Sequence, residues 1–290
     1  MPQKNTISNY LSLIKFSHTI FALPFAIIGF LSAITFTDAR FDGKIFVFVI
    51  LCMVFARSAA MAFNRYIDKD IDKVNKRTGF REIPAGIIKH KSVLIFVIAN
   101  SVLFIITAYF INEICFYLSP VALLVILGYS FTKRFTYLSH LILGLGLSLA
   151  PIGAYLAVTG KFDWLPLLYS FAVLFWVSGF DIIYALQDED FDKSQNLKSF
   201  PVAIGSKPAI ILSILFHLIT ALFILYAGFY ADLGLWYWIG SGIFIGLLFY
   251  QHSLVKPNDL SKINLAFFTT NGVASVVFAV FFILDLYLPF

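Results

Sequence analysis

The chain is short of charged residues and of cysteine. Of its 290 residues, 13% are Asp, Glu, Lys or Arg and 60% are hydrophobic, whereas soluble domains carry about 25% charged residues. This composition excludes an ordinary soluble protein and predicts one polytopic membrane domain over residues 1–290. The two cysteines, Cys52 and Cys115, lie in apolar runs and fit neither a disulfide framework nor a CxxC site. The five histidines form no HExxH-type pair, so no zinc site is predicted.

Apolar runs of about 20 residues, the length that a helix needs to cross a bilayer, occur nine times. We therefore predict an all-α fold with nine transmembrane helices in one bundle. The first run is longer than the apolar core of a signal peptide, so we expect a retained helix. The expected spans are residues 17–36, 45–63, 92–111, 114–131, 138–158, 164–187, 208–228, 234–254 and 264–287.

Lysine and arginine are distributed unevenly between the two ends of these spans. Sixteen of the 21 fall on the side that holds the N-terminus and the connections after even-numbered spans, and three fall on the other side. The positive-inside rule makes the first side cytoplasmic and predicts a multi-pass protein of the cell inner membrane. The net charge of +5 then reflects topology and contact with anionic lipid. Nucleic acid is not predicted as a partner, and no obligate protein partner is inferred.

Two acidic segments lie on the predicted cytoplasmic side, "FNRYIDKDID" at 63–72 and "DIIYALQDEDFD" at 181–192. Asn64, Asp68 and Asp72 are spaced i, i+4, i+8, and Asp188 and Asp192 repeat the i, i+4 step, which places each set on one helix face. Mg²⁺ binds carboxylates, waters and substrate phosphates. The pattern therefore predicts a Mg²⁺–diphosphate site under a cap formed by the two connections. The cations available for the remaining phosphate oxygens are Arg77, Arg81, Lys133 and Lys198.

The two acidic segments have two alternative interpretations, a solvated loop and an EF-hand. A single mixed-charge segment of this kind is often only a solvated loop. An EF-hand requires a glycine where Lys73 stands and a bidentate Glu where Gly79 and Ser199 stand, so it is excluded. Two copies with the same spacing on the same side favour the metal–diphosphate site.

The two segments resemble the motifs of the UbiA superfamily of intramembrane aromatic prenyltransferases. Its NxxxDxxxD motif matches Asn64, Asp68 and Asp72, and "REIPAG" at 81–86 follows it as in the family. Its second motif, DxxYxxxDxxxD, matches Asp181, Tyr184, Asp188 and Asp192, and "LKSFPVAIG" at 197–205 follows this motif as in the family. The resemblance covers most of the chain, including the nine predicted helices.

The resemblance implies transfer of an isoprenoid chain from its diphosphate to an aromatic acceptor, with Mg²⁺ as cofactor. It implies these roles: Asp68, Asp72, Asp188 and Asp192 as metal ligands; Asn64, Arg77, Arg81, Tyr129, Lys133 and Lys198 as diphosphate-binding residues; and Asp181, Tyr184 and Arg57 as catalytic residues. Arg57 is also singled out by physics, because an arginine within a span is costly and usually functional. Snorkelling to the interface is its alternative, and the same alternative applies to Lys15, which is otherwise a second candidate for an acceptor carboxylate.

The motif wording is most similar to the 4-hydroxybenzoate polyprenyltransferase branch of quinone biosynthesis. "IKFSHTIFALPFA" at 14–26 resembles a subgroup whose acceptor is 1,4-dihydroxy-6-naphthoate on the futalosine route to menaquinone. Both acceptors carry a carboxylate and a phenol, so both stay open, and the length of the isoprenoid is not readable. A membrane transporter is the non-enzyme alternative, although transporter charges usually lie nearer the midplane. A CDP-alcohol phosphotransferase is disfavoured, because its DG…AR…G…D…D arrangement is missing.

Overall fold

A computed structural model describes residues 6–15 and 21–288, and within these ranges all regular structure is helical. The all-α prediction is therefore confirmed. Besides α-helices, the described chain contains a 3₁₀ turn at Leu186–Asp188 and a π-helix at Leu265–Thr270. The α-helices are α1 (Thr6–Leu13), α2 (Leu23–Thr35), α3 (Gly43–Ile67), α4 (Lys69–Val74), α5 (His90–Tyr109), α6 (Glu113–Thr132), α7 (Ser139–Thr159), α8 (Trp164–Ala185), α9 (Glu189–Ser194), α10 (Phe200–Ile204), α11 (Ser206–Tyr230), α12 (Leu235–Leu254) and α13 (Asn271–Tyr287).

Seven helical segments of the described chain are long and apolar enough to cross a membrane. They are α3, α5, α6, α7, α8 with its extension to Ser194, α11, and α13 with the preceding π-helix. They match seven of the nine expected spans to within a few residues at each end, apart from that extension. The chain is thus a multi-pass membrane protein.

The other two expected spans are helical but do not meet that criterion. The described part of the first is α2, which has 13 residues, and residues 17–20 lie outside the described ranges. The eighth is α12, whose 20 residues are long enough, but its Gln251 and His252 lower its hydropathy. The total of nine spans, like the cytoplasmic orientation of the bundle, stays a prediction.

Three helices begin at polar caps on the side opposite to the acidic segments. Asp42 Oδ1 accepts the backbone N–H of Lys44 at 2.7 Å at the start of α3. Asn112 caps α6, and Asp163 caps α8. These side chains satisfy N–H groups that have no partner within the helix, which fixes where each span starts.

The helices around α7 pack closely because glycine stands at the contacts. A Cβ at Gly29 of α2 would lie 2.0 Å from the Pro151 carbonyl oxygen of α7. A Cβ at Gly144 of α7 would lie 2.3 Å from the Leu174 oxygen of α8. Small residues allow backbones to approach in this way within membranes. Gly146 and Gly153 of α7 instead face the central cavity described below, so this glycine-rich segment serves both packing and space.

Each acidic motif interrupts a helix rather than continuing it, which differs from the single helical face expected from the spacing. Helix α3 ends at Ile67, Asp68 is its C-cap, and α4 follows. The hydrogen bonds from Asp68 N to Asn64 O (2.9 Å) and from Asp72 N to Asp68 O (2.7 Å) still keep the i, i+4 register. At this break the Asp68 side chain contacts Lys133, the C-cap of α6, and Arg134, which follows it.

Candidate active site

A cavity of about 580 Å³ lies among α3, α5, α6, α7 and α8. This volume is within the range of roughly 300–1,000 Å³ that is typical of ligand sites. Most of its wall is aliphatic or aromatic. Its polar lining includes Lys15, Arg57, Asn64, Arg65, Arg81, Tyr129, Asp181 and Tyr184. The cavity therefore joins a long apolar space to a polar region on the side of the acidic motifs.

The first motif is held by cations from its own connection and from α6. Asp68 is buried, and its carboxylate contacts Lys133 Nζ at 2.7 Å and Arg134 Nη2 at 2.8 Å. Asn64 Nδ2 donates to the same carboxylate at 3.3 Å. Asn64, Asp68 and Lys133, which the sequence assigned to one site, are thus in direct contact.

Asp72 is held on the other side of the same connection. Its Oδ1 accepts a hydrogen bond from Arg81 Nη1 at 2.6 Å. Its Oδ2 is buried without a hydrogen-bond partner, and the Arg65 guanidinium is 4.0 Å away. A buried carboxylate oxygen without a donor is costly.

The two motifs meet through Arg77. Its Nε donates to Asp188 Oδ1 at 3.0 Å and its Nη2 donates to Asp188 Oδ2, so the pair is bidentate. Its Nη1 donates to the Tyr184 hydroxyl at 3.0 Å. The pKa of Arg77 is raised, because burial lowers it but the hydrogen bond and charge of Asp188 outweigh burial. Segments that are 111 residues apart in the chain thus form one site.

Arg57 enters the cavity from the middle of α3. It lines the cavity wall, and its Nε is buried without a hydrogen-bond partner. A charged group buried in this way is stabilised only when an opposite charge joins it. This placement favours a binding role over the snorkelling alternative, and it also leaves room for an anion.

Two of the predicted residues lie outside the ion pairs described above. Lys198 Nζ donates to the Phe135 carbonyl oxygen at 3.1 Å and lies 5.6 Å from the centroid of the Tyr137 ring. Asp192 is half-buried on α9, where its carbonyl oxygen accepts the Leu197 N–H at 2.9 Å. Their predicted roles stay predictions.

The four aspartates suit a hard divalent cation in their chemistry, because they offer only carboxylate oxygens. The unpartnered Asp72 Oδ2 and the proximity of Asn64 to Asp68 fit that use. Within residues 6–15 and 21–288, however, no three His, Cys, Asp or Glu side chains form a cluster. Arginine and lysine side chains instead contact three of these carboxylates, those of Asp68, Asp72 and Asp188.

Sequence reasoning missed His140, the second residue of α7. It is 3% exposed, and its Nδ1 lies 2.7 Å from Asp181 Oδ2. The only signal in the sequence was a polar residue inside an apolar run, "SHLILG" at 139–144.

Sequence reasoning also missed Phe267, which belongs to the π-helix. Its ring centroid lies 4.1 Å from that of Tyr184, and it lines the cavity. Asn271 stabilises this unusual helix, because its Nδ2 donates to the carbonyl oxygens of Ala266 (2.9 Å) and Phe267 (2.8 Å). π-Helical turns are frequent at functional sites.

The fold and site together define an all-helical, multi-pass membrane protein with an apolar cavity that opens towards paired aspartates and arginines. The model of the UbiA prenyltransferase family matches residues 22–273. The chain belongs to this family and is a prenyltransferase, as the motif resemblance implied.

Individual relatives agree with this assignment. The chain is 32% identical over 243 residues to the 4-hydroxybenzoate octaprenyltransferase of Nitrosomonas eutropha, covering 83% of this chain and 84% of the relative. It is 30% identical to the protein of the same name from Aliivibrio fischeri, again over 83% and 84%. An apo structure of a UbiA homolog from Aeropyrum pernix K1 has a TM-score of 0.84 and 29% identity, covering 92% of this chain and 98% of that one. A UbiA homolog from Archaeoglobus fulgidus, bound to DMAPP and Mg²⁺, shares the fold at a TM-score of 0.73 and 22% identity, over 97% and 99%.

Proposed function

We propose that this prenyltransferase moves a polyprenyl group from its diphosphate to the ring of a hydroxylated aromatic acid of the 4-hydroxybenzoate type, with Mg²⁺, at the cytoplasmic face of the cell membrane. The observation that carries the proposal is Arg57, which lines a largely apolar cavity and whose buried Nε has no hydrogen-bond partner among the described residues. A substrate that combines an apolar body with a carboxylate satisfies both features. Relatives named 4-hydroxybenzoate octaprenyltransferase support this acceptor class.

The diphosphate end is assigned to the cations that now hold the aspartates. Arg77, Arg81 and Lys133 each contact one aspartate and are each partly exposed, between 22% and 33%. Guanidinium and ammonium groups bind phosphate oxygens as they bind carboxylates. We infer that these side chains exchange a carboxylate for the diphosphate when substrate binds.

The metal is assigned to Asp68, Asp72, Asp188 and Asp192, with Asn64 in support. When bound, Mg²⁺ supplies positive charge that stabilises the diphosphate as a leaving group. The side chains around the reacting carbon have other tasks: Tyr184 and Phe267 present aromatic faces, which stabilise positive charge. The apolar wall excludes water from the cation that forms as the C–O bond breaks.

The test is an activity assay on purified protein in lipid with Mg²⁺ and a medium-length prenyl diphosphate. We would offer 4-hydroxybenzoate and 1,4-dihydroxy-6-naphthoate separately and detect prenylated product by mass. Product that disappears with EDTA and returns with Mg²⁺ is expected from 4-hydroxybenzoate. Product from the naphthoate alone would move the chain to the other quinone route, and no product from either would refute the acceptor class.

A second comparison isolates the role of Arg57. If its guanidinium binds the acceptor carboxylate, wild type prefers 4-hydroxybenzoate to phenol, and Arg57→Met loses that preference by raising the KM for 4-hydroxybenzoate alone. Lys15→Met is the matched control, because Lys15 lines the same cavity and is the other candidate for the carboxylate. Loss of the preference in the Lys15 variant only would transfer the role to Lys15.

A further inference from the structure

We propose that the Asp181 carboxylate takes the proton that leaves the acceptor ring, and that His140 is the positioning residue that holds this carboxylate. The proposal rests on the proposed function, because it requires an aromatic acceptor in the cavity. Prenyl transfer to a ring carbon releases the proton of that carbon, so a base has to accept it.

The tautomer of His140 follows from its two neighbours. The Phe200 backbone N–H, which can only donate, lies 3.4 Å from His140 Nε2. Nε2 therefore accepts, and the single proton of the neutral imidazole is on Nδ1. Nδ1–H then donates to Asp181 Oδ2 at 2.7 Å, so the Asp181 carboxylate is the acceptor of this bond.

The imidazole is fixed on several sides. The Phe200 ring is stacked on it, with centroids 5.6 Å apart and planes 20° from parallel. The backbone carbonyl of His140 accepts a hydrogen bond from Ser178 Oγ at 3.1 Å, which ties α7 to α8. A ring held in this way also holds the carboxylate that it binds, as second-layer partners do for other reactive groups.

Asp181 differs from the other aspartates of the site in the charge of its partner. Asp68, Asp72 and Asp188 each contact a lysine or an arginine, whose positive charge offsets theirs. The partner of Asp181 is a neutral imidazole, so its negative charge is not offset by that contact. Asp181 also lines the cavity, where an acceptor ring would lie. Among the described residues that line this cavity, Asp68, Asp72 and Asp188 are absent.

The proposed step breaks a C–O bond and a C–H bond, and it forms a C–C bond and an O–H bond. The C–O bond of the prenyl diphosphate breaks, and its electron pair leaves with the diphosphate. A ring carbon next to the hydroxyl forms the new C–C bond with the prenyl carbon. The hydrogen on that ring carbon then leaves as a proton to the Asp181 carboxylate, and its electron pair restores the aromatic ring. General-base catalysis of this type requires a carboxylate within hydrogen-bond reach of the proton.

The experiment compares wild type with His140→Phe, which keeps a ring but removes the donor, and His140→Gln, whose amide can still donate. The acceptor is 4-hydroxybenzoate, either unlabelled or deuterated at the ring carbons next to the hydroxyl. We expect His140→Phe to lower kcat by about 10- to 100-fold, because a displaced base transfers the proton more slowly. The deuterium effect on kcat should rise to about 2 or more in this variant, while His140→Gln returns both values most of the way to wild type.

A purely structural role for His140 would not move the isotope effect. If His140→Phe lowers kcat without an isotope effect, or keeps the wild-type kcat, the proposal is overturned. If His140→Phe does not fold, Asp181→Asn decides the matter, because it must lose about 10²- to 10⁴-fold in kcat while still binding a prenyl diphosphate analogue. Wild-type kcat in Asp181→Asn would overturn the proposal. Failure of the wild-type chain to prenylate any aromatic acid would overturn the proposed function, and this inference with it.

Discussion

Neighbouring cations on the same aspartate provide a strong test of the site. Lys133 and Arg134 both bind Asp68, and their side chains are almost equally exposed, at 31% and 32%. The Lys133 ammonium forms its ion pair with Asp68 at 2.7 Å. Arg134 donates in addition to the carbonyl oxygens of Ser130 (2.7 Å) and Ile67 (3.1 Å), so it joins the ends of α3 and α6. We therefore expect Arg134 to be structural and Lys133 to be free to move to substrate.

The expected magnitudes follow from these contacts. Two hydrogen bonds to carbonyl oxygens contribute about 1 kcal/mol each. The partly exposed ion pair contributes about 0–1 kcal/mol after solvent screening. Arg134→Met should then lower the free energy of unfolding by about 2–3 kcal/mol, and Lys133→Met by about 1 kcal/mol or less. Loss of a charged contact to the diphosphate, about 1.5–3 kcal/mol, should lower kcat/KM for Lys133→Met by about 10- to 100-fold.

Thermal unfolding in detergent measures the first quantity, and prenyl transfer at a temperature where all variants are folded measures the second. Lys207→Met, at an exposed lysine of α11, controls for the loss of one positive charge. The reasoning is refuted if Lys133→Met unfolds as easily as Arg134→Met, or if it keeps the wild-type kcat/KM for the prenyl diphosphate.

Three further changes have direct outcomes. Asp188→Asn should lower transfer by more than about 10²-fold, without rescue by added Mg²⁺; turnover close to wild type would remove it from the proposed metal set. Gly144→Ala should cost about 1–3 kcal/mol in thermal unfolding, because its Cβ would lie 2.3 Å from a backbone oxygen of α8. Gly146→Ala, whose Cβ would meet Ile126 atoms no closer than 3.5 Å, should be tolerated; equal losses in both would contradict the close packing. Phe267→Ala should raise the ratio of prenyl alcohol to prenylated product several-fold, since water then reaches the cation, whereas Phe268→Ala, in the same π-helix but not lining the cavity, should leave that ratio unchanged.

The helices were largely predictable because hydropathy acts on each span independently. Helices α5, α6 and α7 begin and end within two residues of the predicted limits. Helix α2 has 13 residues and is shorter than its predicted span, and hydropathy alone did not indicate this length. The break of α3 at Asp68 was also missed, because i, i+4 spacing describes a face and contains no information about where a helix ends.

The candidate site was predictable as a set of residue types and less so as a set of contacts. From the repeated spacing, Asn64, Asp68, Asp188 and their cations were expected to lie in one region. It did not indicate that Arg77 would pair with Asp188 across the two connections. The His140–Asp181 pair and the π-helix depend on tertiary hydrogen bonds, from Phe200 and Asn271 respectively, and local sequence does not encode such partners.

The pairing of aspartates with arginines and lysines gives the same residues two uses. Arg77 on one connection binds Asp188 on the other, so this ion pair joins the two connections. A metal ion alone would have to displace these cations from the carboxylates, and a diphosphate alone would have to leave the carboxylates without partners. A metal ion and a diphosphate that arrive together supply both missing charges, because the carboxylates then bind the metal while the cations bind the phosphate. We therefore infer that the charge balance of the site favours joint binding of the two.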